Sequence, residues 1–449
     1  MMKTIRGNRI LRALAVLVCA TAVLVAISVV MMSAQGVPQK KMDLPHESTW
    51  DADMIDSNTG YTGEGVYVAV LDTGLAPNWA DYLPADSVAT ELGRGFYEPV
   101  TYDPKTGLLI ESGKVVQTGW IGSISSTHGT HVASTIVGYN YYSSSDAGAG
   151  LPLNPVFVEG IAPDAKIIPV KVLSDYNFKI GRANFGTDKA VAAGIDYVTG
   201  LAKAGYKPMV ISMSLGGPEP SEVIEDAVNR AIEAGVIVVA AAGNAATEGM
   251  DWPGAYPQVI SAGSCGWRYE WYAPSAVAPP PRYRLWWLQD NTYGYNDIPE
   301  PTLADDVYVS DFSGREISAD GQQLDVLAPG SWVRGPYPGY PGYCHLPWWS
   351  QGKPAAWQLS GGNNFYYVGG TSMSTPHVSA TAAMMLEKDP TLTQSELETI
   401  LKETALPIPA GSMVVWDLTP SQGWYTRTWG SDATGAGLLQ ASAAIEEVD

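Results

Sequence analysis

Short and almost uninterrupted apolar runs recur along the chain, and each ends in small or polar residues. They are Tyr67-Val-Ala-Val-Leu71, Ala165 to Leu173, Met209 to Gly216, Val236 to Gly243, Val259 to Ser264 and Leu324 to Ala328. A strand apolar on both of its alternating faces belongs in a parallel sheet covered on both sides. Between these runs lie stretches of helical periodicity, Lys189 to Ala204 and Ser221 to Ala234. Ser221 is a candidate N-cap for the second, and Gly235 is its stop signal. Strand and helix alternating in this way predict an α/β fold: a doubly wound, mainly parallel sheet with helices on both faces. Ligands of such folds bind at the carboxyl ends of the strands.

The polar residues that interrupt this pattern carry the candidate chemistry. Asp72-Thr-Gly74 leaves the first strand, and Asn244 leaves the strand Val236 to Gly243. His128 opens Thr127-His-Gly-Thr-His-Val-Ala133, which runs into an apolar helical stretch. Far downstream, Gly369-Gly-Thr-Ser-Met-Ser-Thr-Pro-His377 precedes an Ala- and Met-rich stretch that reads as a buried helix. The two glycines permit a sharp backbone path, Thr371 can cap the helix, and Ser372 falls in its first turn. Free N–H groups there can hold a developing anion.

Taken singly, each segment has an ordinary reading: an Asx turn at Asp72, a metal pair at His128 and His131, a tight turn at Asn244. Together they supply what nucleophilic catalysis by a serine requires. The hydroxyl needs an imidazole as base. The imidazole needs a carboxylate to fix its tautomer and stabilise its cation. The tetrahedral oxyanion needs preorganised donors, such as a side-chain amide and a backbone N–H. No carboxylate or third histidine stands at a helical spacing to complete a zinc site with His131, so His131 and His377 read as structural.

Charge narrows the partners. Charged residues make up 16% of the 449-residue chain and hydrophobic ones 46%, as in a globular protein. The net charge of −20 argues against nucleic acid, whose phosphates call for clustered Lys and Arg. Residues 1–36 stand apart. Lys3, Arg6, Arg9 and Arg12 precede an apolar run from Ala13 to Met32. This reads as a secretory signal peptide, and its length also suits a signal anchor. Either way the rest is exported, and the membrane is met only through this segment. Residues 37–45 form a short linker, and 46–449 a single catalytic domain.

The chain resembles the subtilases, the subtilisin-like serine endopeptidases. The resemblance is carried by Val68-Ala-Val-Leu-Asp-Thr-Gly-Leu75, His128-Gly-Thr-His-Val-Ala-Ser134 and Gly369-Gly-Thr-Ser-Met-Ser-Thr-Pro-His-Val378. Ser212-Met-Ser-Leu-Gly-Gly217, Ala241-Ala-Gly-Asn244, Trp252-Pro-Gly-Ala-Tyr-Pro257 and Leu324-Asp-Val-Leu-Ala-Pro-Gly330 support it. It implies that Asp72 orients, His128 is the base, Ser372 is the nucleophile, and Asn244 with the Ser372 amide forms the oxyanion hole. It implies protein or peptide substrates and no cofactor for the chemistry. Trp252-Pro253 matches a place where the family has a cis peptide. Ser214-Leu215-Gly216 and Ala241-Ala242-Gly243 resemble the two walls of the main specificity pocket. Both are small and uncharged, which implies a preference for large apolar or aromatic residues before the cut.

The chain also departs from the compact pattern. Residues 139–158 replace a short calcium-binding loop, so a structural calcium has no assignable site. The inhibitory prodomain usual in the family has no counterpart, because residues 37–45 are too few to fold. Residues 266–308 and 332–366 are long aromatic-rich insertions, with Trp267, Trp271, Trp286, Trp287, Trp332, Trp348, Trp349 and Trp357. Loops of that length at strand ends suggest a wall of the substrate cleft. Cys265 follows one strand and Cys344 lies in the loop after another. Two parallel strands would release both loops at one edge, so an exported protein could bridge these cysteines.

Overall fold

A computed structural model describes residues 44, 46–123, 127–141, 156–174, 185–270, 298, 301–338, 365–417 and 423–449. The central sheet is built from β1 (Tyr67–Asp72), β2 (Arg94–Tyr97), β3 (Val116–Thr118), β4 (Lys166–Lys171), β5 (Met209–Met213), β6 (Ile237–Ala241), β7 (Ile260–Trp267), β8 (Val307–Val309) and β9 (Val326–Pro329). Its spatial order is β8-β7-β6-β5-β1-β4-β2-β3, with β9 also on β7. The pairings from β2 through β7, and that of β9, are parallel; β3 and β8 join antiparallel at the two ends. The mainly parallel, doubly wound sheet expected from the apolar runs is the one observed.

Alternation along the strands decides which helix covers which face. Val68 and Val70 of β1 turn to one core, and Ala69 and Leu71 to the other. The first core receives α1 (His128–Val137) and α4 (Thr371–Lys388). The second receives α2 (Asp188–Lys203) and α3 (Glu222–Glu233). Each fully buried Val, Leu or Ile contributes about 1.5–3 kcal/mol, so both layers hold the sheet firmly. From Met373 to Leu386, α4 is buried on every side, as its Ala and Met content suggested.

Several local expectations need correction. β7 does not stop at Ser264 but continues through Cys265 to Trp267. Cys265 is therefore inside the sheet, wholly buried and without a disulfide partner among the described residues, and burial raises its thiol pKa. Its suggested partner Cys344 lies outside the described residues. Ser221 occupies the N-cap position of α3, but its side chain accepts no capping bond. Its backbone instead exchanges hydrogen bonds with the Tyr256 hydroxyl, at 2.8 Å and 3.0 Å. The N-cap of α4 is Gly370, not Thr371. Gly370 has φ of +150°, a conformation that L side chains rarely adopt.

Of the aromatic insertions, Trp267 and Trp332 are packed in the first core and form no cleft wall. Trp271, Trp286, Trp287, Trp348, Trp349 and Trp357 lie outside the described residues, as do residues 1–36 and most of 139–158. Among the described residues no helix is long and apolar enough to cross a membrane. None of their His, Cys, Asp or Glu groups is clustered to hold a metal ion.

Candidate active site

Asp72 is the last residue of β1 and is wholly buried. Its Oδ1 accepts the Thr73 amide at 2.6 Å, which holds the carboxylate in place. Both of its oxygens accept from His128 Nδ1, at 2.9 Å and 2.8 Å. His128 is the first residue of α1, so the sheet edge and the helix start bring the pair together. With the proton committed to Nδ1, Nε2 keeps its lone pair for another partner. Burial opposes the imidazolium, but the charge and hydrogen bond of Asp72 outweigh it, and the His128 pKa is raised above its ordinary value.

Ser372 is the second residue of α4 and half-buried. Its hydroxyl donates to the Ser214 carbonyl at 3.1 Å, and the Ser214 hydroxyl donates back to the Ser372 carbonyl at 2.7 Å. Pro376 explains why that carbonyl is free. Four residues on in the helix, it has no N–H to return. Rotation about the Ser372 Cα–Cβ bond turns Oγ from Ser214 towards the cleft. The Ser372 amide lies in the first helical turn, where no intrahelical carbonyl claims it.

Asn244 follows β6. Its Oδ1 accepts the Thr371 amide at 2.9 Å and the Thr371 hydroxyl at 3.1 Å. An amide N–H can only donate, so the Asn244 atom facing it must be the oxygen, which leaves the NH2 group for the cleft. Gly243, just before it, has φ of +92°, and a Cβ there would come within 2.6 Å of Asp251 Cγ.

His128, Asn244 and Ser372 all line one cleft of about 570 Å³ at the carboxyl edge of the sheet. Ser214, Leu215 and Gly216 line it too. Ala241, Ala242 and Gly243 do not; they are buried behind it. What reaches the cleft at that point is Asp251, a residue not singled out from the sequence. Its signal was a lone acid between Met250 and Trp252, directly before a motif that had been noticed.

The two remaining histidines are packed. His131 Nε2 meets the Val333 carbonyl at 3.2 Å, and burial lowers its pKa to about 3, so it is neutral. His377 is set between the Met373 carbonyl at 2.8 Å and Asp51 Oδ2 at 3.0 Å. Trp252-Pro253 is cis.

Comparison with known proteins gives the family and the fold. The family model described as "Subtilase family" matches residues 63–438. Subtilisin Savinase of Lederbergia lenta is 28% identical over 349 residues, which cover 78% of this chain and 86% of that one. An alkaline protease of Alkalihalobacillus alcalophilus is also 28% identical over 349 residues, and there the match spans 61% of the relative's length. Among solved structures, sphericase superposes with a TM-score of 0.53 at 24% identity, over 90% of this chain and 99% of that one. A protein titled "S41 Psychrophilic Protease" gives 0.51 at 21% identity, over 88% and 98%. Both share the fold.

Proposed function

The chain belongs to the subtilase family, and from that premise we propose that it is a serine endopeptidase working through an acyl-enzyme. Ser372 Oγ attacks the carbonyl carbon of the scissile peptide and passes its proton to His128 Nε2. The carbonyl oxygen becomes an oxyanion and takes hydrogen bonds from Asn244 Nδ2 and the Ser372 amide. The intermediate collapses, the C–N bond breaks, and the leaving amine carries off the proton held by His128. Water then attacks the acyl carbon as His128 takes its proton; the bond from that carbon to Ser372 Oγ breaks, His128 returns the proton to Oγ, and the acid leaves. Asp72 keeps its charge throughout and stabilises the imidazolium.

The observation that carries this reading is the Asp72–His128 pair, which shares one cleft with a serine on a helix's first turn and a pre-set asparagine amide. Protein or peptide substrates are supported by membership of the subtilase family and by the subtilisin relatives. The basic and then apolar residues 1–36 support export, with the catalytic part outside the cell. The test is labelling with a fluorophosphonate followed by peptide mapping. A single modification on Ser372 is expected; a protein that resists the reagent, or reacts at another serine, is not this enzyme.

Asn244→Ala removes one oxyanion donor and also frees the Thr371 amide. We expect kcat to fall by about 10²–10³, a magnitude known from this same family, with KM nearly unchanged because the bond strengthens only in the transition state. A raised KM with kcat unchanged would show instead that Asn244 binds the ground state and the transition state alike.

A further inference from the structure

Asp251 sits between the two segments that frame the cleft. A Cβ on Gly216 would lie 2.6 Å from Asp251 Cβ, and one on Gly243 would lie 2.6 Å from its Cγ. The carboxylate thus fills the space that side chains on both segments would take. Its backbone is pinned on each side. The Asp251 amide donates to the Ala242 carbonyl at 2.9 Å. Trp252 pairs with Gly217 through N–H to O bonds of 2.8 Å and 2.9 Å. A group held this way by the ends of β5 and β6 has little freedom to move aside.

Among the described residues this carboxylate accepts no hydrogen bond and meets no cation, although Asp251 is half-buried and burial pushes its pKa up. A half-desolvated charge with only solvent to cover it gains from an opposite charge brought beside it. The other titratable groups on the cleft, besides His128 and Tyr256, are Asp188 and Glu219, and among the described residues no Lys or Arg lines it. A cationic ligand would supply the countercharge that these residues lack.

We propose that Asp251 is the specificity-determining residue of this cleft and selects substrates with a lysine or arginine side chain just before the cut bond. This rests on the endopeptidase reading above. It replaces the apolar preference expected from Ser214-Leu-Gly216 and Ala241-Ala-Gly243. Those segments are uncharged, but the residue that lies across their glycines is an acid.

The test compares kcat/KM on matched peptides that differ only in carrying Arg, Lys or Leu before the cut. For the wild type, the ratio of basic to Leu substrates should exceed that of Asp251→Asn by about 10- to 100-fold, the size of one charge-assisted hydrogen bond. Asp251→Glu should restore part of it. A ratio that Asp251→Asn leaves unchanged overturns the proposal, including the case in which Asp188 or Glu219 supplies a preference instead. A second measurement needs no turnover. Benzamidinium should raise the Tm of the wild-type protein more than that of Asp251→Asn, and the neutral benzyl alcohol should raise neither; an equal benzamidinium shift in both proteins overturns the proposal. Should no peptide be cut and no serine labelled, the endopeptidase reading fails, and the benzamidinium comparison still judges Asp251.

Discussion

Ser372→Ala is expected to lower kcat by about 10⁶, a size known from the family, and to abolish fluorophosphonate labelling altogether. The substitution removes one oxygen. That oxygen's present bond, to the Ser214 carbonyl at 3.1 Å, is an ordinary one worth about 1 kcal/mol. The reciprocal bond from the Ser214 hydroxyl to the Ser372 carbonyl stays, because it uses backbone that alanine retains. The protein should therefore unfold within a few degrees of the wild type while its turnover collapses. Binding should survive, so the variant should still be competed by a peptide aldehyde's alcohol analogue with near wild-type affinity. A variant that kept more than a thousandth of wild-type kcat would mean that another group attacks the substrate.

Asp72→Asn is expected to cost about 10⁴ in kcat. The new amide can turn its NH2 towards His128 Nδ1, which then accepts; the imidazole's proton moves to Nε2, and the base faces the serine with no lone pair. The pH profile reports the same contact. In the wild type the His128 pKa is raised, so the acid limb of kcat/KM should lie above the pH of about 6.5 at which an ordinary histidine titrates. Asp72→Asn removes the charge and should move that limb downward.

Stability runs the other way. A group whose folded pKa is raised stabilises the fold fully below its unfolded value, and this contribution is lost as pH rises through the folded value. The His128 contribution therefore disappears over the same interval in which the enzyme gains activity. Parallel measurements of Tm and kcat/KM between pH 5 and 10 check both signs. An acid limb at the same pH in wild type and Asp72→Asn would break the link between the carboxylate and the base.

How far the sequence could be read depended on the range of the interactions. The apolar runs marked the central strands because burial on both faces leaves no polar position to blur the signal, and β1, β5 and β6 lie where those runs stand. Motifs that place a group at the end of its own strand or the start of its own helix were equally legible, which is why Asp72, His128, Asn244 and Ser372 could be named before any coordinates. The misses have a different physics. β7 was cut short at Ser264 because Gly266 looks like a turn residue, yet its lack of a side chain makes room for a neighbour: a Cβ there would come within 2.6 Å of Tyr308. Ser221 makes no side-chain cap on α3, and its backbone is tied instead to the Tyr256 hydroxyl, 35 residues away. Asp251 escaped because its place is set only when Gly216 and Gly243 come together beyond the ends of neighbouring strands. No local window contains all three.

The paired hydroxyl and carbonyl bonds between Ser214 and Ser372 join positions 158 residues apart in the chain. Pro376 makes the shorter of the two possible, by leaving a carbonyl that the helix cannot use. Positional error in a protein accumulates along whatever path connects two groups, and here the path is one hydrogen bond rather than a walk through several strands and helices. The attacking group and the surface that registers the substrate thus share one frame of reference. When the sheet breathes, they drift together, and the alignment between a bound peptide and its nucleophile does not depend on the rest of the molecule holding still.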